Sequence, residues 1–316
     1  MILAFSCLFA SSINVAKAQD VLTATLQHGE EMTAYYGYQA FVNAMNAAVD
    51  GDLVTLSAGT FARPYITKAV MIQGAGMLGN RTAVDNALYI SLPEGSSGLT
   101  LEGVYFPYDV YIRGCANEIT FKRCQMKTFD IEPQSTNCSV IQCRIESFEP
   151  DDHSKNLLVK NSAIARVGEN SDDATLLFEN CLITYSGGSR TNWEFNPIAT
   201  FRNCIIAWPS QHKGCTAYNN VCLGKSFATN SQSNNTLVSD LHILFKDNVF
   251  DWNGNLTLTE EAAAQYLGTD GTQVGVFGGA YPYTSIPSNP QITAKEIENQ
   301  ADSNGKLAVK ITVEAQ

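Results

Sequence analysis

The chain has 316 residues, 45% of them apolar, and a formal net charge of −11 from 20 basic and 31 acidic residues. That length and apolar fraction build a sizeable core in one large domain or two small ones. The acidic balance excludes the basic footprint that nucleic acid or an anionic membrane requires.

The first element reads as an address. Met1–Ala18, MILAFSCLFASSINVAKA, is an apolar run that ends Ala16-Lys17-Ala18 before Gln19, the form of a secretory signal cleaved after Ala18. The chain is therefore expected to be secreted, periplasmic or at the cell surface, although no basic residue precedes the run. No second stretch is long enough to span a membrane. Losing Cys7 with the signal leaves eight cysteines, which raises the question of disulfides.

In Tyr35–Asp52, YYGYQAFVNAMNAAVDGD, the residues Phe41, Met45, Ala48 and Val49 recur at helical spacing and Asp50-Gly51-Asp52 ends the helix. LVTLSAGTF follows as a first strand, and AVMIQGAGM opens a repeat. LLFENCLI, Leu176–Ile183, returns as ATFRNCII, Ala199–Ile206. With the residue after the asparagine as reference, Cys124, Cys143, Ser162 and Cys181 fall at intervals of 19. Cys204, Val221 and Asn248 follow them, and Ala75 and Val104 precede them. Nine units with a period near twenty predict a solenoid.

Three places before the reference stand Ile72, Leu101, Phe121, Val140, Val159, Phe178, Phe201, Tyr218 and Phe245. Two places after it stand Met77, Phe106, Met126, Ile145, Ile164, Ile183, Ile206, Leu223 and Phe250. Both columns are apolar and are expected to face one interior. Directly before the reference come Gly74, Gly103, Arg123, Gln142, Asn161, Asn180, Asn203, Asn220 and Asp247, a set rich in types that tolerate a left-handed backbone and so mark a bend between two strands. Alternation turns the reference residue inward, where rungs about 4.8 Å apart pile Cys124 over Cys143 and Cys181 over Cys204 as a ladder of small core residues. Cys115, Cys138, Cys215 and Cys222 lie off that column, and any disulfide is expected among them. A leucine-rich repeat would place its asparagine differently and use more leucine. The fold expected is all-β, a right-handed parallel β-helix over residues 19–255. Residues 256–316 follow it as a C-terminal region: a helix at LTEEAAAQYL, Leu258–Leu267, then a loop, then an alternating edge strand at GKLAVKITVEA, Gly305–Ala315.

The entrance, carried by Ala44, Ala47, Ala48, Gly51, Asp52, Val54, Leu56, Gly59, Phe61, Ile66, Lys68, Ile72, Gly74 and Gly76, resembles the N-terminal cap of secreted bacterial β-helix proteins of the pectate-lyase-like superfamily. DGTQVGVFGG, Asp270–Gly279, resembles their closing segment. The resemblance spans about residues 40 to 250. It implies the architecture and leaves the activity open, since such caps occur on lyases, on hydrolases and on proteins without a known reaction.

A lyase of that superfamily would hold calcium on carboxylates beside a basic residue, and a hydrolase would set two carboxylates across the scissile bond. Loops eight to eleven places after the reference carry Arg113, Glu132, Asp151, Asp152, Asp172, Asp173, Arg190 and Lys213, which a stack would align along one side. His153 follows the first acid pair, so Asp151, Asp152, His153, Asp172, Asp173 and Arg190 form the candidate catalytic set, and the four aspartates the candidate calcium ligands. The alternative is an ordinary solvated edge of mixed charge. Tyr108, Tyr111, Tyr185, Trp193, Phe195 and Trp208 fall between strands, where sugar rings could stack on them or loops bury them. His28, His212 and His242 are scattered, and GAGMLG at Gly74–Gly79 lies at a bend, outside any nucleotide fingerprint. The expected function is an exported glycan-binding or scaffold protein without catalysis and without a cofactor. The alternative is a polysaccharide lyase or glycoside hydrolase acting on acidic polysaccharide, with calcium.

Overall fold

The recurrence becomes a right-handed parallel β-solenoid in the computed structural model. It describes residues 21–114, 116–132, 135–150, 153–168, 175–184, 199–207, 215–227, 229, 231–288, 290–298, 305–306 and 308–314. An antiparallel hairpin, β1 (Thr23–His28) and β2 (Glu31–Tyr36), precedes α1 (Ala40–Ala47). The first rung contributes β3 (Leu53–Leu56), β4 (Gly59–Ala62) and β5 (Tyr65–Ile66). The second adds β6 (Met71–Gln73), β7 (Thr82–Asp85) and β8 (Leu88–Ile90), and the third β9 (Thr100–Glu102), β10 (Val104–Phe106) and β11 (Val110–Ile112). Later rungs pair one strand of the first sheet with one that runs on around the solenoid. These are β12 (Thr120–Lys122) with β13 (Gln125–Ile131), β14 (Ser139–Ile141) with β15 (Arg144–Pro150), and β16 (Leu157–Lys160) with β17 (Ala163–Val167). Then come β18 (Leu176–Glu179) with β19 (Leu182–Ile183), β20 (Thr200–Arg202) with β21 (Ile205–Ile206), β22 (Thr216–Tyr218) with β23 (Val221–Leu223), and β24 (Gln232–Ser233) with β25 (Thr236–Val238).

The first sheet stacks ten parallel strands from β3 to β24 and continues through β1 to β2. The second sheet forks at β13, whose Gln125 and Met126 extend β10 while Phe129, Asp130 and Ile131 extend β11. That fork makes a third face from β5, β8, β11 and the far halves of β13 and β15.

The inward column of the first sheet is Val54, Ile72, Leu101, Phe121, Val140, Val159, Phe178 and Phe201, all buried. Phe178 and Phe201 stack with centroids 5.1 Å apart and planes 5° from parallel. Burial of each such ring stabilises by about 1.5–3 kcal/mol. The corner residues hold the left-handed backbone throughout, from Gly103 and Arg123 (φ 68° and 52°) through Gln142, Asn161, Asn180 and Asn203 to Asn219 and Asn234.

Three units differ from the sequence register. Seven residues loop out after Gly74, so Thr82 and Val84 take the inner places expected of Ala75 and Met77. Met77 is buried elsewhere, outside the solenoid interior. In the rung after Cys204 the turn is one residue shorter: Asn219 makes the corner, Ala217, Asn220 and Cys222 point inward, and Tyr218 faces out. The unit expected around Asn248 is no rung, because Phe245 and Phe250 belong to the C-terminal segment that packs outside the second sheet. At the other end Val49 is exposed, while Ala40, Phe41, Ala44 and Met45 form the buried face of α1. The hairpin β1–β2, unforeseen in the sequence, continues the first sheet over this cap. Asp52 accepts from the Val49 amide at 2.8 Å and from His28 Nδ1 at 2.7 Å. Burial works against its charge, but these bonds and nearby Lys68 outweigh it and hold its carboxyl below the usual range.

Each corner leaves the next amide without a strand partner, and a side chain from the following rung supplies one. Cys124 N–H donates to Cys143 Sγ at 3.4 Å, Cys143 N–H to Ser162 Oγ at 3.0 Å, Cys181 N–H to Cys204 Sγ at 3.4 Å, and Cys204 N–H to Asn220 Oδ1 at 2.9 Å. The thiols donate in turn to interior carbonyls, Cys143 to Ile141 O at 3.3 Å among them. Cys124, Cys138, Cys143, Cys181, Cys204 and Cys222 are buried and unbridged, and Cys215 is buried as well. Of the off-column cysteines to which any bridge was assigned, Cys138 and Cys222 are unbridged and Cys115 lies outside the described residues.

The C-terminal segment is a strap. After a 3-10 turn at His242–Leu244 and α2 (Glu260–Gln265), it runs back along the corner column. Asn203 Nδ2 donates to Thr269 Oγ1 at 3.2 Å and its Oδ1 accepts from the Thr269 amide at 2.9 Å. Asn161 Nδ2 reaches Val276 O at 2.9 Å and Gly278 O at 2.7 Å, and Arg144 Nε reaches Tyr283 Oη at 2.7 Å. Gly279, at φ 76°, passes so close to the corner that a Cβ there would lie 2.3 Å from Asn180 Nδ2. Ser288 closes the run, its amide and hydroxyl donating to Glu102 at 2.8 and 2.7 Å. Under the strap, Ala163, Leu182, Ile205 and Val221 on the outer face of the second sheet meet Leu244, Phe245, Leu258, Val274 and Val276. The last strands, β26 (Gln291–Ile297) and β27 (Val309–Glu314), pair among the described residues only with each other, as an antiparallel hairpin of which the sequence pattern marked the second strand.

Two outcomes follow from this packing. Burial pushes the Cys138 thiol up to about 11 and Cys222 up to about 12, and burial with the neighbouring sulfur raises Cys124 and Cys181 well above the usual thiol value. Iodoacetamide should therefore modify at most Cys7 and Cys115 in the native chain and all nine cysteines after denaturation, as read by intact mass. Glu102 is destabilised by burial, but Ser288, Lys122 and Arg123 together lower its carboxyl. Its contribution is complete above the unfolded value of about 4.3 and disappears as pH falls through the lower folded value. Glu102→Ala, which leaves buried Arg123 uncompensated, should cost roughly 3–5 kcal/mol in denaturant melts at neutral pH and progressively less in acid.

Candidate functional site

The three outer faces differ in what they leave for a ligand. The strap covers the second. On the first, outward charges from successive rungs neutralise one another, with Glu179 taking Lys160 at 3.4 Å and Arg202 at 3.1 Å. The third face carries a strip whose outward positions are set by strand register: Tyr65 beside Tyr89, Tyr89 beside Tyr111, Tyr111 beside Asp130, Asp130 beside Glu149.

Rung spacing brings the tyrosine rings into a stack, with centroids 6.1 Å apart from Tyr65 to Tyr89 and 5.1 Å from Tyr89 to Tyr111. Two guanidinium groups sit against it. Arg63 lies 4.7 Å from the Tyr65 ring and 5.1 Å from Tyr89, and Arg113 lies 5.6 Å from Tyr89 and 4.5 Å from Tyr111. Arg113 also pairs with Glu132, whose other oxygen accepts from the Gly114 amide at 3.0 Å. Arg63 Nη1 is buried and has no hydrogen-bond partner among the described residues. Tyr111 Oη donates to Asp109 at 3.1 Å. Burial first, then that bond and the charges of Asp109, Tyr89 and Asp130, raise its phenol, which stays a donor at neutral pH.

Further along, Arg166 Nη2 bonds both Ser147 Oγ and Glu149 Oε1 at 2.6 Å. Glu149 leans over Gly168, where a Cβ would strike its carboxylate. The strip thus changes from cationic and aromatic in the first three rungs to mixed charge in the next three. It can stack, donate, accept and pair with charge along a line parallel to the solenoid axis. Among the described residues no group of three or more His, Cys, Asp or Glu side chains is placed to hold a metal ion.

Of the residues singled out in the sequence, Tyr111 is in the strip, and Arg113 and Glu132 meet as the stacked loops require. Tyr108 is 46% exposed in the turn before β11 and outside the ladder. His153 is exposed in a turn with φ 63°. Asp151, Asp152, Asp172, Asp173, Arg190, Lys213, Tyr185, Trp193, Phe195 and Trp208 lie outside the described residues. Tyr65, Tyr89, Arg63, Asp130 and Glu149 were missed. The signal for Tyr65, Tyr89, Asp130 and Glu149 is a further column six or seven places after the inner reference, visible only once Thr82 replaces Ala75 as the reference of its rung, and Arg63 lies outside that column.

No family model, curated protein or solved structure matches the chain.

Cross-strand aromatic pairs contribute about 0.2–1 kcal/mol each, and exposed ion pairs no more than about 1. Tyr89→Ala should therefore lower stability by only about 1 kcal/mol in thermal or denaturant melts and leave the circular dichroism spectrum unchanged. The tyrosines are not the scaffold's support.

Proposed function

We propose that this is an exported β-solenoid, akin to pectate-lyase-like proteins, that binds a glycan along its third face without needing to cleave it. The observation that carries this reading is the Tyr65–Tyr89–Tyr111 stack, exposed at Tyr65 and half-buried at Tyr89 and Tyr111, with its two guanidinium groups. An extended sugar chain repeats hydroxyls and C–H faces along its length, and the strip repeats aromatic edges, phenols and charged groups from rung to rung, about 4.8 Å apart. The inner tyrosine faces are occupied by one another, so a bound chain would run across ring edges and hydroxyls. Only Tyr65, 68% exposed at the end of the ladder, offers most of a ring to a sugar. Export is part of the same proposal and rests on Met1–Ala18.

A second reading is a lyase or hydrolase on acidic polysaccharide, using Asp151, Asp152, Asp172 and Asp173 with calcium. It is favoured by chain position: Asp151 and Asp152 follow directly on β15, whose Glu149 belongs to the strip, and Asp172 and Asp173 come a few residues after Gly168.

Glycan arrays followed by titration calorimetry on the chain from Gln19 should find a ligand whose affinity falls at least about tenfold in Tyr89→Ala and in Arg113→Ala. Absence of binding to plant, host and bacterial polysaccharides would end the binding reading. Calcium-dependent release of unsaturated product or reducing ends, lost in Asp152→Ala and Asp172→Ala, would replace it with the enzymatic one.

A further inference from the structure

The N-terminal end of the solenoid leaves one hydrogen-bonding edge open. β2 is the outermost strand of the first sheet, paired on one side with β1 and on the other with nothing among the described residues. The Gly37 amide donates to Leu22 O at 2.8 Å, and in an antiparallel pair the bonded positions alternate. Glu31, Thr33 and Tyr35 therefore direct their N–H and C=O groups at β1. Met32, Ala34 and Tyr36 direct theirs at the free edge.

The same three residues project their side chains from one face, where Met32 is 70% and Tyr36 67% exposed, while Tyr35 on the opposite face packs against the core. Natural edges are protected by lysine, proline, bulges or cover. β2, EMTAYY, has no lysine or proline, its register with β1 is unbroken, and its only charge is at its start. Tyr38, Val49 and Tyr65, in the cap and the first rung, add exposed apolar surface at this end.

We infer that this edge is the interface for a second copy of this chain, joined by antiparallel β2–β2 pairing about a two-fold axis through Ala34. A two-fold axis perpendicular to the sheet requires facing positions that share a side-chain face. Pairing Ala34 with the partner's Ala34 meets this requirement and sets Met32 against the partner's Tyr36, so outward donors and acceptors face each other at every bonded position. The apolar row then runs unbroken across the junction. Glu31 falls opposite the partner's Gly37 and Glu30 opposite the partner's Tyr38, so no acid faces an acid. Shifting the axis to Thr33 would draw both glutamates into the paired segment. The result is one first sheet continuous through two solenoids that point away from each other.

Sedimentation and light scattering across a concentration series should show a monomer–dimer equilibrium that tightens with added salt, because each copy carries a charge of −11. Ala34→Pro removes an amide that β1 does not use and should weaken the dimer by roughly tenfold or more. A Met32→Lys, Tyr36→Lys double variant, which keeps every backbone bond, should do the same, with circular dichroism and melting curves showing both variants folded. Register is read by oxidation: Ala34→Cys should crosslink, since facing bonded positions lie about 5.5 Å apart, and Thr33→Cys should not. A wild-type chain that stays monomeric throughout, a dimer indifferent to both edge variants, or crosslinking at position 33 in place of 34 would overturn the proposal.

Discussion

The amide that follows each left-handed corner has no neighbour in either sheet, and the whole solenoid is organised around giving it one. The partner must come from the next rung, must reach inward and must be small enough to leave room for the core rings. Cysteine, serine and asparagine meet those conditions, and these are the types found at Cys143, Ser162, Cys204 and Asn220. A buried amide left unbonded costs about 1–3 kcal/mol, so a repeated vacancy at this place would cost much of the stability of an ordinary domain. The cysteine ladder is thus more than small hydrophobic filling: its sulfurs accept from one rung and donate to another.

The corner residue itself has a second duty on the outside. A left-handed backbone costs a non-glycine residue about 1–2 kcal/mol, less for asparagine, and glycine would avoid it altogether. Yet Asn161 and Asn203 stand at these corners, and beside them Arg123 and Gln142 with φ of 52° and 56°. Their side chains explain the choice. Asn161 and Asn203 bond the strap directly, and Arg123 joins Gln142 at 2.9 Å to Glu102 at 2.6 Å, the carboxylate that receives Ser288. One column of residues therefore turns the chain and recognises its C-terminal segment.

This double role explains what the sequence made legible and what it concealed. The rungs from Cys124 to Cys181 were readable because a constant interval of 19 keeps one inner residue, one corner and one apolar position in phase, and the same local pattern identifies Val104 and Cys204 on either side of them. At Ala75 and Val221 the loop lengths change and the phase slips, so Met77 and Tyr218 were assigned inward although one lies under the strap and the other faces out. The strap has no period of its own, and its contacts with Asn161 and Asn203 span 115 and 66 residues, beyond any local pattern. The tyrosine strip was legible only at Tyr111, because Tyr65 and Tyr89 lie in the rungs with the least regular spacing.

What the molecule can do follows from how each surface is used. Lys160 and Arg202 both pair with Glu179 on the first face, and Leu182, Ile205 and Val221 are covered on the second. On the third, Arg63 Nη1 is buried without a bond among the described residues, and the tyrosine stack, exposed at Tyr65 and half-buried at Tyr89 and Tyr111, adds little to stability. A ligand that stacks on Tyr65 and runs across the edges and hydroxyls of Tyr89 and Tyr111 would take apolar ring out of water, and a chain polymer laid along the axis would meet the three residues in succession.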